Sequence, residues 1–361
     1  MFDYRHYIPI LRWKRGERIA LRNLQGDIKA QMTPLVELIP GDFKTGNAAA
    51  VDNKLSKTAE DLFKNWGRAP LFVDLGLLYP AVRASNGLHP IEVLCREAHI
   101  RQLSLIPVTG LDRTESYLSA VASIIKEDHR GACIRLRRPD IQRPTFLTDL
   151  GRLLTQLELS PPHVHLLVDY QIINNSCPSF ANLCSLLPNL SQWRTFTIAS
   201  GAFTKDLSGF GKNRQHIHTR LDWLTWHGQI ASSPPLPRPP SYSDYTIQYP
   251  IFEEIPSFPN ISASIRYTAE EYWVIMRGEG LRNEDGPGFA QYPANAQLLC
   301  DRPEFCGAGF SYGDAYIEEM GRQSEKTGTP ETWIRAGINH HLTFVVRQIA
   351  NLSGVSTVDT P

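Results

Sequence analysis

Three carboxylates occupy the same kind of place along this chain. Glu37 closes Pro34-Leu-Val-Glu37, Asp74 closes Leu71-Phe-Val-Asp74, and Asp169 closes His165-Leu-Leu-Val-Asp169. In a fourth run, Ala132-Cys-Ile-Arg135-Leu-Arg137, arginines stand where the acid would be. Carboxylates beside guanidiniums keep their charge and can be held in a site that excludes water. Two such acids could divide acid and base work at a glycosidic bond. With a divalent cation, the one cofactor this donor set suggests, they could hydrolyse a phosphate ester. The same groups could instead neutralise one another in a salt-bridge network. These alternatives differ in separations that spacing along the chain does not set.

The elements that would position these acids are legible from the runs themselves. Short apolar runs bounded by turn residues read as buried strands. Helical patterns lie between them, which predicts a parallel sheet. The expected strands are Tyr7–Arg12, Pro34–Leu38, Leu71–Asp74, Ser104–Val108, Ala132–Arg137, Val164–Asp169, Thr195–Ser200 and Asp244–Tyr249. Eight strands in β-α alternation predict an α/β fold of the (β/α)8 TIM-barrel type, whose strand C-termini open into one mouth. No G-x-G-x-x-G follows an early strand, so a dinucleotide-binding sheet lacks its fingerprint.

Helices are expected at Asp52–Trp66, Pro90–Ile100, with proline in its first turn, and Asn213–Trp226. The run Ser232–Pro240 is too proline-rich for helix or central strand and reads as an extended connector. The barrel is assigned to residues 1–256. An α+β appendage, 257–361, is expected to pack on it. This appendage contains a hairpin of Ile261–Thr268 with Tyr272–Arg277, a glycine-rich stretch from Phe305 to Tyr316, and a last helix from Glu331 to Asn351. The tail from Ser353 is expected to fray.

The 361 residues suit a barrel of about 250 plus an appendage of about 100. Lys+Arg and Asp+Glu are both 37, a balance that does not favour nucleic acid as a direct partner. No apolar run approaches the roughly 20 residues of a membrane span. The N-terminus carries no signal-peptide core, and a cytoplasmic location is expected. The six cysteines form no CxxC pair and read as reduced thiols.

Glu37, Asp74 and Asp169 are thus the candidate catalytic acids, with Lys14, Arg135 and Arg137 as cations at the same mouth. Arg266 flanks the hairpin. Lys205, Lys212 and Arg214 follow the seventh strand, where barrels often bind phosphate; a solvated charged face is the plainer reading. Asn339-His340-His341 lies on the last helix. Adjacent helical residues point about 100° apart, so both histidines cannot face one metal, and no metal ligand is assigned. Asp314 could orient one histidine. A Ser311/His340/Asp314 triad would lack the G-x-S-x-G elbow. We expect the appendage to fold back so that Arg266, Asp314, His340 and His341 join the mouth as ligand-binding residues. His216, His218, Trp223 and Trp226, with Tyr170 and Tyr249, could form a base-stacking surface; packing of the barrel helices is the default for such tryptophans.

Three groups of segments together resemble the "beta protein" family of phages and bacteria. They are Tyr7-Ile-Pro-Ile-Leu-Arg-Trp-Lys-Arg-Gly-Glu17 with Pro34–Glu37; Ile265-Arg-Tyr-Thr268 with Trp273–Gly278; and Phe310-Ser-Tyr-Gly-Asp314 with Trp333 and Asn339–His341. The resemblance spans nearly the whole chain. It brings no reaction and no catalytic residue. It implies a setting in mobile elements and bacterial phage-conflict loci, where members can sit beside a predicted nuclease. The expectation is therefore a component of an anti-phage or mobile-element system. It would bind a small anionic or nucleotide-like ligand, or a partner protein encoded nearby, at the barrel mouth. The alternatives are a stand-alone hydrolase using the three acids and a non-catalytic structural subunit.

Overall fold

A computed structural model describes residues 3–43, 46–174, 178–254, 260–322 and 326–352. Cys177 and the tail from Ser353 lie outside them. By internal contacts the chain forms two compact units, each drawn from several stretches. The first comprises Met1–Trp13, Thr33–Ser200 and Thr225–Asp244; the second comprises Lys14–Met32, Gly201–Leu224 and Tyr245–Pro361.

The first unit is the barrel. Its strands are β1 (Ile10–Arg12), β2 (Leu35–Glu37), β3 (Leu71–Asp74), β4 (Leu105–Thr109), β5 (Ala132–Arg137), β6 (Val164–Ile172) and β7 (Thr195–Gly201). They lie side by side in that order, and the eighth barrel strand, β9 (Ser241–Ser243), follows β7. From β1 through β6, and between β7 and β9, neighbouring strands pair in parallel. The amides of Ile8 and Ile10 donate to the carbonyls of Tyr242 and Asp244, which joins the last strand to the first. With its edges joined, the sheet has no open strand to template pairing with another chain.

Local chemistry accounts for the connecting helices. Ala48–Trp66 begins where the Asn47 side chain accepts from the Ala50 amide, and it buries Val51, Leu55, Ala59 and Leu62. Pro90–Ile100 is capped by His89, and Glu115–Asp128 by Thr114. Such caps satisfy amides that the first helical turn leaves without carbonyl partners.

The eighth strand differs from expectation. Asp244–Tyr249 is not the strand; Ser241–Ser243 is. Thr246 sits at φ +60°, a left-handed conformation that a β-branched residue adopts only in a turn and that ends the extended run.

The second unit is a three-stranded antiparallel sheet with helices. Its strands are β8 (Arg214–Thr219), β10 (Ser262–Thr268) and β11 (Tyr272–Gly280), ordered β10-β11-β8. The hairpin and the last helix, Pro330–Leu352, match the expected pattern. Arg214–Thr219 was expected to be helical. It is an edge strand because its residues alternate in exposure and pair with Tyr272–Arg277; the helix starts only at Leu221. The core of this unit gathers Ile265, Tyr267, Met276, Tyr292, Ile317 and Trp333.

Candidate functional site

Four of the strand-end residues converge inside the barrel. Arg135, from β5, is 2% exposed, and Glu37, Asp74 and Asp169 are 3%, 2% and 0% exposed. The Arg135 Nη1 donates to Glu37 Oε1 and to Asp74 Oδ2, both at 2.8 Å. Its Nε and Nη2 both donate to Asp169 Oδ2, at 2.9 and 2.7 Å. One guanidinium therefore ties β2, β3, β5 and β6 together, and every nitrogen of its fork is used. The planar fork makes this arrangement possible by spreading its donors over three nitrogens, whereas a lysine ammonium gathers all of its donors on one atom.

A second arginine completes the set. Arg113, in the loop after β4, donates through Nη2 to both oxygens of Asp74, at 2.9 and 3.0 Å. Its guanidinium lies 5.3 Å from the centre of the Tyr117 ring, and the Tyr117 hydroxyl donates to the Val108 carbonyl at 2.9 Å. A Cβ on Gly76 would collide with the Arg113 guanidinium, so this close approach requires glycine at 76. Burial by itself would raise the Asp74 pKa, but Arg113 and Arg135, with the Gly76 amide, outweigh it and hold the carboxyl below the usual carboxylate range. Sequence reading passed over Arg113 because a loop arginine carries no local signal; only the distance to Asp74 reveals it.

Deeper in the barrel lies a second polar contact. His165, on β6, pairs its Nδ1 with Thr195 Oγ1 at 3.0 Å and sets its ring edge against Phe72 at 4.9 Å. Burial pushes its pKa down to about 3. Arg137 is half-buried at the rim, with its Nε 3.8 Å from Asp112 Oδ2.

The other five expected residues belong to the second unit. The Lys14 ammonium is 5.8 Å from the Phe252 ring centre. Arg266 donates to the Ile247 carbonyl at 2.8 Å and lies 4.7 Å over Phe203; burial pushes its pKa down to about 10. Asp314, His340 and His341 are fully buried. His340 faces Asp314 Oδ2 with Nδ1 at 2.9 Å and the Thr268 carbonyl with Nε2 at 2.8 Å. A carbonyl oxygen can only accept, so Nε2 donates to Thr268 while Nδ1 faces the carboxylate. Tyr267 stacks on His340 at 3.8 Å and donates to Asp314 Oδ1 at 2.7 Å. Burial by itself would raise the Asp314 pKa, yet His340, Ser311 and Tyr267 hold it below its ordinary value. His341 is turned away, onto Thr268 Oγ1 at 2.8 Å. No Ser–His–Asp relay is built, because Ser311 Oγ is bonded to Asp314 rather than to His340.

The remaining candidates divide similarly. Trp223 and Trp226 are 3% and 1% exposed, so they pack in the core and offer no stacking surface. Lys205 ion-pairs with Glu253 at 2.8 Å. Among the described residues, no group of three or more His, Cys, Asp or Glu side chains is disposed to hold a metal ion. Among them, too, no helix is long and apolar enough to cross a membrane.

The model of the family described as "Beta protein" matches residues 7–347. The chain belongs to the Beta protein family. No curated protein matches it. Among solved structures, one titled "PhdJ bound to substrate intermediate" aligns over 96% of this chain and 97% of its own, at 11% identity and a TM-score of 0.32.

Proposed function

We propose that this Beta protein is a binding component of a phage-conflict system, taking a small anionic, nucleotide-like ligand at the barrel mouth and acting with a partner protein. The observation that supports this reading over a hydrolase is the Arg135 network. Glu37, Asp74 and Asp169 each accept from Arg135, and Asp74 accepts from Arg113 as well. A carboxylate that attacks a sugar or holds a divalent cation needs a lone pair aimed at the substrate. Here both oxygens of Asp74 and one oxygen each of Glu37 and Asp169 accept from guanidiniums, and the second oxygen of Asp169 accepts a backbone amide. The network is suited to be the rigid floor of a site whose ligand contacts come from the surrounding loops.

The reading is tested by plating phages on cells that carry the complete locus and on cells lacking only this chain. The expected result is a rise in plating efficiency when the chain is removed. Unchanged plating across a broad phage panel would defeat the proposal. Turnover of a model phosphate ester or glycoside that disappears in Asp169→Asn would replace it with the hydrolase reading.

A further inference from the structure

The turn after β5, Tyr170 on β6 and the helix Phe180–Leu186 line an open cleft of about 370 Å³, within the roughly 300–1,000 Å³ range of small-ligand pockets. Its two anchors are chain neighbours of the buried network. Arg138 follows Arg137 directly after β5, and Tyr170 follows Asp169 within β6, so both adjoin the strands that Arg135 ties together. The Arg138 guanidinium lies 5.5 Å from the centre of the Tyr170 ring. Ile141 and Leu183 supply apolar wall, and the amides of Gln142 and Asn182 stand on the lining.

Arg138 differs from the cations around it. Arg143 ion-pairs with Asp140 at 2.9 Å, and Arg137 points toward Asp112. Among the described residues, no carboxylate ion-pairs with Arg138. A half-buried guanidinium without a counter-ion, set against an aromatic face, is suited to hold a phosphate bidentately while a flat ring packs beside it. The phenol of Tyr170 is pushed up to about 12 by burial, so it presents a neutral ring to an incoming anion. One such cation matches one phosphate rather than a triphosphate chain. The two side-chain amides each offer a donor beside an acceptor, which complements the edge of a nucleobase.

We infer that this cavity is a nucleoside monophosphate site, with the phosphate on Arg138, the base against Tyr170 and Leu183, and its edge toward Gln142 or Asn182. The inference rests on the binding reading given above and specifies its ligand. The test is calorimetric titration of the full chain with AMP, GMP, CMP and UMP, with their unphosphorylated nucleosides, and with inorganic phosphate. At least one nucleotide should bind saturably, and its nucleoside at least tenfold more weakly. Arg138→Gln should weaken the nucleotide about tenfold or more, which is about 1.4 kcal/mol, and leave the nucleoside unchanged. Tyr170→Ala should weaken both, whereas Tyr170→Phe should not. Circular dichroism and melting of each variant separate lost binding from lost folding, and Asn182→Ala, on an exposed helix face, provides a variant with little folding risk that should alter the preference among bases. No saturable binding by about 1 mM for any of the four nucleotides, or equal affinity in Arg138→Gln, overturns the assignment. Such a result alongside a positive plating experiment removes only this ligand; the absence of a plating effect removes the broader reading.

Discussion

Arg135 grips Asp169 through two nitrogens that converge on a single carboxylate oxygen, Oδ2, at 2.9 and 2.7 Å. The other Asp169 oxygen, Oδ1, accepts the backbone amide of Gln171 at 2.8 Å. The acid is thus fixed from both sides, and with it the C-terminal part of β6.

Removing that arginine should be severe. Arg135→Met fits the volume but leaves Glu37, Asp74 and Asp169 buried without their shared counter-ion. Breaking a buried ion pair from one side costs about 3–5 kcal/mol. Urea unfolding should show a loss of at least that size, and Arg135→Lys should recover only part of it. A midpoint within experimental error of wild type for Arg135→Met would mean the acids are not held as described.

The Gly76 position gives a milder test of the same network. Gly76→Ala places a methyl group against the Arg113 guanidinium. Overpacking of this kind costs about 1–3 kcal/mol, and here it also pushes Arg113 away from Asp74. The double variant with Arg113→Ala should be less destabilised than the sum of the single changes, because the second removes what the first strikes. Additive losses would show that the two residues act independently.

Stability should fall as the solution is made mildly acidic. Burial pushes the pKa of His6 and His89 down to about 4, and of His165 down to about 3. These rings stay neutral in the folded state, while in the unfolded chain they take up protons below about pH 6.5. The unfolded state then binds more protons, so stability is greatest above pH 6.5 and declines as pH drops toward 4. For His89 the nearby Arg83 charge adds to burial, and its Nδ1 accepts the Ile91 amide at 3.3 Å and caps a helix. His89→Asn keeps a capping acceptor and removes the titration, so its denaturant midpoint should fall less between pH 7 and pH 5. A midpoint that falls as steeply as wild type would rule out this contribution.

A further loss belongs to more acid solution. Asp74 and Asp314 are both held below the ordinary carboxylate value, so their contribution is fully present above about pH 4 and is lost as pH falls through the folded-state values. Asp314→Asn removes the carboxylate that His340, Ser311 and Tyr267 surround and should cost about 3–5 kcal/mol at pH 7. The gap between this variant and wild type should narrow below pH 4. A constant gap down to pH 2.5 would place the cost in packing rather than charge.

The acids of the barrel were readable because each ends a local apolar run, and a strand needs only its own few residues to declare itself. The same holds for the parallel order of the first seven strands. What failed was structure decided at a distance. Arg214–Thr219 has few apolar residues of its own and becomes a strand through its partner Tyr272–Arg277. The run after Asp244 looked extended until Thr246 turned it at φ +60°. Arg113 and Tyr267 gained their roles from Asp74 and Asp314, which lie 39 and 47 residues away, and no local pattern encodes such pairings.

The alternation of the two compact units along the chain bears on how such a gene can change. The chain passes from one unit to the other after Trp13, Met32, Ser200, Leu224 and Asp244. A single recombination crossover anywhere between these points therefore transfers fragments of both units and never one of them whole. Exchange of one whole unit between related genes by a single crossover is closed to this architecture. A change confined to one unit has to come by substitution within its separate stretches.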